Sequence, residues 1–187
     1  KLNQYTDKNH QGAIAFLSPI DFCNVETLIP TLFEAGKTPL LMVLDGVTDV
    51  RNFGAIARTC ACAGADALII GSHGSVAING DAVKTSAGAL YHLPVCKVDN
   101  LQHTLQYLRD SGFHVVAATE HATENYTDVD MTAPVAIVMG SEEKGIYEGN
   151  LRICSHQVRI PMSGVIESLN VSVAAGVMLY EVVRQRG

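Results

Sequence analysis

Tryptophan is absent from this sequence, aromatic residues make up only 6% of it and charged residues only 17%. The scarcity of charge excludes a self-repelling disordered chain, and with 48% of its 187 residues hydrophobic the chain has enough apolar mass to bury a substantial core. No apolar run approaches the roughly 18 residues of a membrane span. No charged segment followed by an apolar stretch opens the chain as a secretory leader would. Cysteines are few and odd in number: Cys23, Cys60, Cys62, Cys96 and Cys154. Their scatter argues against a disulfide framework and for a reducing compartment such as the cytoplasm. Cys60 and Cys62 stand two apart in a helical pattern and point in different directions, a poor metal pair, so all five thiols read as small core residues. The seven histidines show no ligand spacing either, and no metal is expected. Basic residues are outnumbered, 13 against 19 acidic, for a net charge of −6. That balance argues against nucleic acid as a partner, since phosphate contacts want Lys and Arg, unless a local basic face coexists with the global sum.

What is present is a regular alternation. Apolar runs alternate with amphipathic stretches along most of the chain, the pattern of parallel βαβ units. Strands are expected at Leu40–Asp45, Ala67–Gly71, Val95–Val98, His114–Thr119, Val135–Gly140 and Gln157–Ile160. Several are continuously apolar, as strands covered on both faces are. Helices are expected at Val25–Ala35, Phe53–Ala63, Asp81–His92, Leu101–Ser111, Gly145–Arg152 and Leu169–Gln185. Asn52 is placed to cap the second of these and Gly64 to end it in the left-handed conformation. Ser168 is placed to cap the last, on which Val173, Val177 and Tyr180 recur on one face and read as core. Residues 1–36 read as an N-terminal tail or linker and a short helix, leading into a single α/β domain over 37–187, a parallel sheet flanked by helices. Such sheets bind ligands beyond the carboxyl ends of their strands, so the segments after each strand matter most.

Three of those segments combine glycines with polar side chains. After the strand at 40–45, Asn52 and Arg58 stand six apart at the head of a helix. Alone they are an ordinary cap and a solvated arginine. After the strand at 135–140 comes Gly140-Ser141-Glu142-Glu143-Lys144-Gly145, where Gly140 permits close approach to a ligand and Gly145 a tight bend. Alone this is a turn whose carboxylates favour the following helix start. After the strand at 157–160, Pro161 and Gly164 lead to Ser168 and Asn170. Asparagine is a poor helix former, and its place in a first turn suggests a task beyond satisfying orphan N–H groups.

Taken together and in this order, the segments resemble the three motifs of the SpoU/TrmH family of the SPOUT superfamily. Asn52-x-Gly54-Ala55-Ile56-x-Arg58 is similar to the first motif and Met139-Gly140-Ser141-Glu142-x-x-Gly145 to the second. Ile160-Pro161-Met162 through Ser168-Leu169-Asn170-Val171-Ser172 is similar to the third, and the whole similarity runs from about Leu41 to Arg186. His10-Gln11-Gly12 resembles the join between an RNA-binding N-terminal domain and the catalytic domain in the ribosomal RNA guanosine 2′-O-methyltransferase branch.

The resemblance implies a deep trefoil knot made by the C-terminal segment, a rare exception to unknotted chains. It implies a homodimer, S-adenosylmethionine as cofactor, no metal, and methyl transfer to a ribose 2′-hydroxyl of structured RNA, with ribosomal RNA favoured over transfer RNA. Carried over residue by residue, Arg58 is the central catalytic arginine, and Asn52, Glu142, Ser168 and Asn170 match positions that orient it and the substrate. Glu142 is suited to hold the guanidinium by a charge-assisted pair. A guanidinium is effectively never deprotonated in a protein. Arg58 is therefore expected to stabilise the developing alkoxide and clamp the adjacent phosphate rather than act as a base. Gly140, Ile160 and Leu169 match positions whose backbone surrounds the cofactor, with Thr119 and Met162 as further wall residues. Arg51, Lys84, Lys144 and Arg152 are candidate phosphate contacts. The acidic total then fits an RNA affinity drawn from a further N-terminal domain and from dimer geometry. The alternatives are a transfer RNA 2′-O-methyltransferase, a knotted enzyme that methylates a base nitrogen, a non-catalytic RNA-binding module and a nicotinamide-dependent oxidoreductase. The last lacks a first-strand G-x-G-x-x-G, and the Asn52/Arg58 pair suits hydroxyl activation better than reading a base edge.

Overall fold

The computed structural model describes residues 18–187. The polar stretch at Lys1–Gln11 and the His10-Gln11-Gly12 segment lie outside the described residues. Strand and helix alternate as the apolar pattern requires. In chain order the elements are β1 (Phe22–Cys23), α1 (Val25–Glu34), β2 (Leu40–Asp45), α2 (Val50–Ala63), β3 (Ala67–Gly71), α3 (Gly80–Thr85) and a 3₁₀ turn at Ala89–Tyr91. There follow β4 (Val95–Val98), α4 (Leu101–Asp110), β5 (His114–Ala118), β6 (Glu124–Asn125), β7 (Val135–Gly140), α5 (Glu148–Leu151), β8 (His156–Arg159) and α6 (Val171–Arg186). One sheet of eight parallel strands results, in the order β1-β4-β3-β2-β7-β5-β8-β6.

Alternation along the central strands sends side chains into two separate cores. Leu40, Met42 and Leu44 of β2 pack on one face with Phe53 and Ile56 of α2 and Met178 and Val182 of α6. Leu41 and Val43 pack on the other face with Val25 and Ile29 of α1 and Leu105 and Leu108 of α4. Both faces being covered, β2 and β7 read as unbroken apolar runs, as expected of parallel strands. They lie side by side, in register from Leu40 against Val135 to Asp45 against Gly140. The loops that leave them are therefore neighbours.

The expected strands at 40–45, 67–71, 95–98 and 135–140 form within the expected bounds; the one at 114–119 ends a residue early, and the one at 157–160 lies one residue earlier at both ends. The two edge strands β1 and β6 were not expected, because two residues carry no periodic signal. Helix ends differ more. Asp49, not Asn52, caps α2, its carboxylate accepting from the N–H groups of Arg51 at 2.7 Å and Asn52 at 2.9 Å. Gly64 ends that helix at φ 74°, as expected. Asn170, not Ser168, caps α6, accepting from the Ser172 N–H at 3.0 Å. The helix expected over 81–92 stops at Thr85, since Ala87 and Gly88 take left-handed φ values of 51° and 82°. The one expected from Gly145 begins only at Glu148, because Gly145 is left-handed at φ 64° and closes a turn instead.

Burial on α6 and among the cysteines differs from what the sequence pattern suggests. On α6 the buried apolar residues are Val171, Ala175, Met178, Leu179 and Val182, whereas Val173 and Tyr180 are exposed. That helix is apolar on most sides, so periodicity could not choose the face that packs on α2. Of the cysteines, Cys60 and Cys96 are buried and Cys154 partly so, but Cys23 and Cys62 are exposed. Cys23 lies on an edge strand and Cys62 on the outer side of α2.

Candidate active site

A cleft of about 530 Å³ opens beyond the carboxyl ends of β5, β7 and β8 and is closed on one side by the start of α6. Its wall contains Thr119, Gly140, Ile160, Met162 and Leu169, all five residues expected to surround a cofactor. Glu142, Ser168 and Asn170 also line it, but Asn52 and Arg58 do not.

The Gly140–Ile146 turn forms much of one wall. Ser141 and Gly145 exchange backbone hydrogen bonds at 3.1 and 2.9 Å, and Ser141 Oγ accepts from the Lys144 N–H at 3.1 Å. A Cβ on Gly140 would stand 2.1 Å from the Gly145 carbonyl carbon. The glycine is thus required by the turn's own closure rather than by the approach of a ligand.

Three distant segments meet at the Asn170 side chain. Its Nδ2 donates to Asn52 Oδ1 at 3.0 Å and to Glu142 Oε1 at 2.6 Å. Its Oδ1 accepts from the Ser172 N–H and from Ser172 Oγ, at 3.0 and 2.5 Å. Glu142 Oε1 also accepts from the Val171 N–H at 3.3 Å. Every polar atom of the carboxamide is therefore used. Asn52 is available for this contact because Asp49 has taken over the cap of α2. Ser172 has a place in the network that its expected position inside a helix did not reveal.

Arg58 stands exposed on α2, two turns beyond the Asp49 cap, and its side chain makes no hydrogen bond or ion pair with another described residue. No Glu142–Arg58 ion pair forms; Glu142 Oε1 accepts instead from Asn170 Nδ2 and the Val171 N–H. Gly54 lets α2 press on α3, since a Cβ there would meet Thr85 Oγ1 at 2.1 Å and the Ser86 nitrogen at 2.9 Å. Of the candidate phosphate contacts, Lys144 lines the cleft and Arg152 is paired with Glu148. No group of three or more His, Cys, Asp or Glu side chains among the described residues is arranged to hold a metal ion. Nor is any described helix long and apolar enough to cross a membrane.

The family model described as the SpoU rRNA Methylase family matches residues 39–180, the span that carries all three segments. The chain belongs to that family. Among its SpoU relatives is a Photobacterium profundum protein named 23S rRNA (guanosine-2′-O-)-methyltransferase RlmB, 40% identical over 178 residues, covering 95% of this chain and 72% of the relative. A Staphylococcus saprophyticus protein whose name assigns it to TrmH family tRNA/rRNA methyltransferases is 36% identical over 186 residues, covering the whole chain and 75% of the relative. The solved structure of the SpoU methyltransferase AviRb from Streptomyces viridochromogenes in complex with AdoMet superposes with a TM-score of 0.74 at 32% identity. That match covers 80% of this chain and 58% of AviRb, so the chain spans rather more than half of this SpoU relative.

Proposed function

We propose that this chain transfers a methyl group from S-adenosylmethionine to a ribose 2′-hydroxyl of structured RNA, with a ribosomal RNA guanosine as the favoured target. The observation that carries the reading is the Asn170 carboxamide, which ties the first and second motif segments to the third at the lip of the cleft. The names of the relatives support the substrate class, one for ribosomal RNA and one for transfer or ribosomal RNA. Transfer RNA is therefore the second reading.

The cleft fits the cofactor. Its volume of about 530 Å³ lies in the range of about 300–1,000 Å³ usual for small-molecule sites. Met139, Ile160 and Leu169 offer apolar wall for an adenine, while Glu120, Glu142, Glu143 and Glu167 outnumber Lys144 and suit a cationic sulfonium. When bound, the cofactor supplies an electrophilic methyl group with a neutral thioether as leaving group. In this proposal Gly140, Ile160, Leu169, Thr119 and Met162 hold it. Asn52, Glu142, Ser168 and Asn170 fix the geometry of the lip where the ribose docks. Arg58, unengaged by described residues and exposed, clamps the RNA phosphate and stabilises charge developing on the 2′-oxygen. The hydroxyl proton passes to solvent water as the methyl group is transferred, and Arg58 stays a cation throughout.

Residues 37–187 carry the catalytic motifs in this reading, β1 and α1 belonging to the same sheet and core ahead of them, and the segment through α6 makes the trefoil knot. The protein works as a homodimer in the cytoplasm. Support for the dimer is exposed apolar surface just before the cleft residue Glu167 and on α6: Val165 is 97% exposed, Ile166 75% and Tyr180 52%. Calorimetry with S-adenosylmethionine, followed by nucleoside mass spectrometry of methylated RNA, tests the whole. Binding and a 2′-O-methylguanosine product are expected; a methylated base nitrogen, or no heat of binding, would overturn it.

A further inference from the structure

Asp45 does not line the cleft, yet it holds the turn that walls it. Its Oδ2 accepts two hydrogen bonds, from the Tyr147 N–H at 2.7 Å and from Asn150 Nδ2 at 2.8 Å. Asp45 ends β2 beside Gly140, the last residue of β7. The Gly140–Ile146 turn is thereby gripped at both ends, at its entry by strand pairing and just past its exit by a carboxylate. Between the grips Ser141 and Gly145 are bonded to each other, and Gly140 has no room for a methyl group. A turn closed this tightly has little slack, so its placement against the cleft follows the placement of Tyr147.

The partner of Asp45 is no surface residue. Asn150 is 3% exposed, and its Oδ1 has no hydrogen-bond partner among the described residues. A buried polar atom left unpaired is costly, so this side chain is kept at some expense to stability, and its one side-chain bond is the one to Asp45. The neighbourhood carries the imprint of the charge: burial pushes the Cys154 thiol up to about 12, and Asp45 adds to the rise. Cys154 Sγ in turn donates to the Asn150 carbonyl at 3.2 Å.

We propose that Asp45, oriented by Asn150, is a positioning residue that sets the cofactor-side wall of the cleft. This rests on the reading of the cleft as an S-adenosylmethionine site. A carboxylate suits the task because a charged acceptor holds its donors more firmly than a neutral one.

The test uses the full chain as wild type, Asp45→Ala and Asn150→Asp, and reads amide exchange over 141–147 together with methyl-transfer kinetics. In Asp45→Ala, exchange over the turn should rise about tenfold or more without cofactor present. The cofactor KM should rise by up to about a hundredfold, while kcat at saturation changes by less than about threefold. Asn150→Asp sets two carboxyl groups at hydrogen-bond distance. Its cofactor affinity should be weak near about pH 8 and recover toward about pH 5, where the pair shares a proton. Should Asp45→Ala not fold, the pH recovery of Asn150→Asp carries the decision alone. Unchanged exchange in Asp45→Ala, a loss of kcat with no change in KM, or no recovery in Asn150→Asp would overturn the positioning role. A wild type that binds no S-adenosylmethionine would overturn the cofactor reading instead, and the exchange rates would still decide the grip.

Discussion

The side-chain amide of Asn170 donates to Asn52 Oδ1 at 3.0 Å across 118 residues of sequence. The same amide donates to Glu142, and the same side chain caps α6 through its oxygen. Asn170→Asp separates these duties. A carboxylate still caps the helix, but it cannot donate, and it faces Glu142 at 2.6 Å. The variant should keep most of the roughly 1 kcal/mol of cap stability, yet lose cofactor affinity at neutral pH and regain part of it on acidification. Melting temperature and calorimetry measured across pH check this; affinity equal to wild type at neutral pH would show the network to be dispensable.

Arg58→Ala should abolish methyl transfer while leaving cofactor affinity and melting temperature nearly unchanged. The residue is exposed, makes no ion pair with a described residue and lies outside the cleft lining, so its removal leaves no buried partner unsatisfied. Loss of one donor that acts in the transition state costs about 10²–10³ in rate, and a charged one more. Arg58→Lys should also fail, since an ammonium lacks the planar fork that reaches phosphate and alkoxide together. Single-turnover methylation decides; near-normal turnover by folded Arg58→Ala would remove Arg58 from the mechanism.

Gly140→Ala and Gly54→Ala should destabilise the fold. At Gly140 the added carbon would lie 2.1 Å from backbone in the same turn, with no side chain able to yield. At Gly54 it would drive α2 away from Thr85 and the Ser86 backbone. Each should cost about 1–3 kcal/mol in denaturant unfolding, the usual range for overpacking, and Gly140→Ala should weaken cofactor binding as well. Gly80→Ala, where the same carbon meets nothing within 4 Å, is the control.

Tyr180→Asp should shift the protein from dimer to monomer in light scattering. Tyr180 and Val173 are exposed apolar residues on the side of α6 turned away from its buried Met178 and Val182. A charge placed in a desolvated interface without a partner is strongly unfavourable. An unchanged mass would move the dimer contact elsewhere.

Thiol chemistry should divide the five cysteines. Burial pushes Cys60, Cys96 and Cys154 from an ordinary value near 9 up to about 12, whereas Cys23 and Cys62 are exposed. A thiol reagent at neutral pH should modify the exposed two and reach the other three only on unfolding. These three thiols hold their protons more tightly in the folded than in the unfolded protein. Their contribution is complete below about pH 9 and is lost as pH rises toward about 12. A melting temperature that rises over that window would contradict the assignment.

The central strands were legible because each is apolar on both faces; β2 and β7 carry five fully buried residues each before their last position. Helix starts were less legible. Asp49 and Asn52, like Ser168 and Asn170, are all competent caps, and only the packing of α2 and α6 selects between them. Asp45 left a faint trace, a single acid ending an apolar strand, but nothing local says that its partners are Tyr147 and Asn150.

By itself the sequence determined the α/β class, the parallel sheet, the central strands and the segments from which a site would be built, because these depend on hydrophobic period and on residue types close together in the chain. Tertiary structure alone decided which of those residues touch. It placed Glu142 on Asn170 rather than on Arg58, turned Tyr180 outward and set Asp45 against the motif turn. Contacts between Asp45 and Asn150, or Asn52 and Asn170, span more than a hundred residues. They exist only once parallel pairing has brought the ends of β2 and β7 side by side and α6 has packed on α2, and no local preference encodes that geometry.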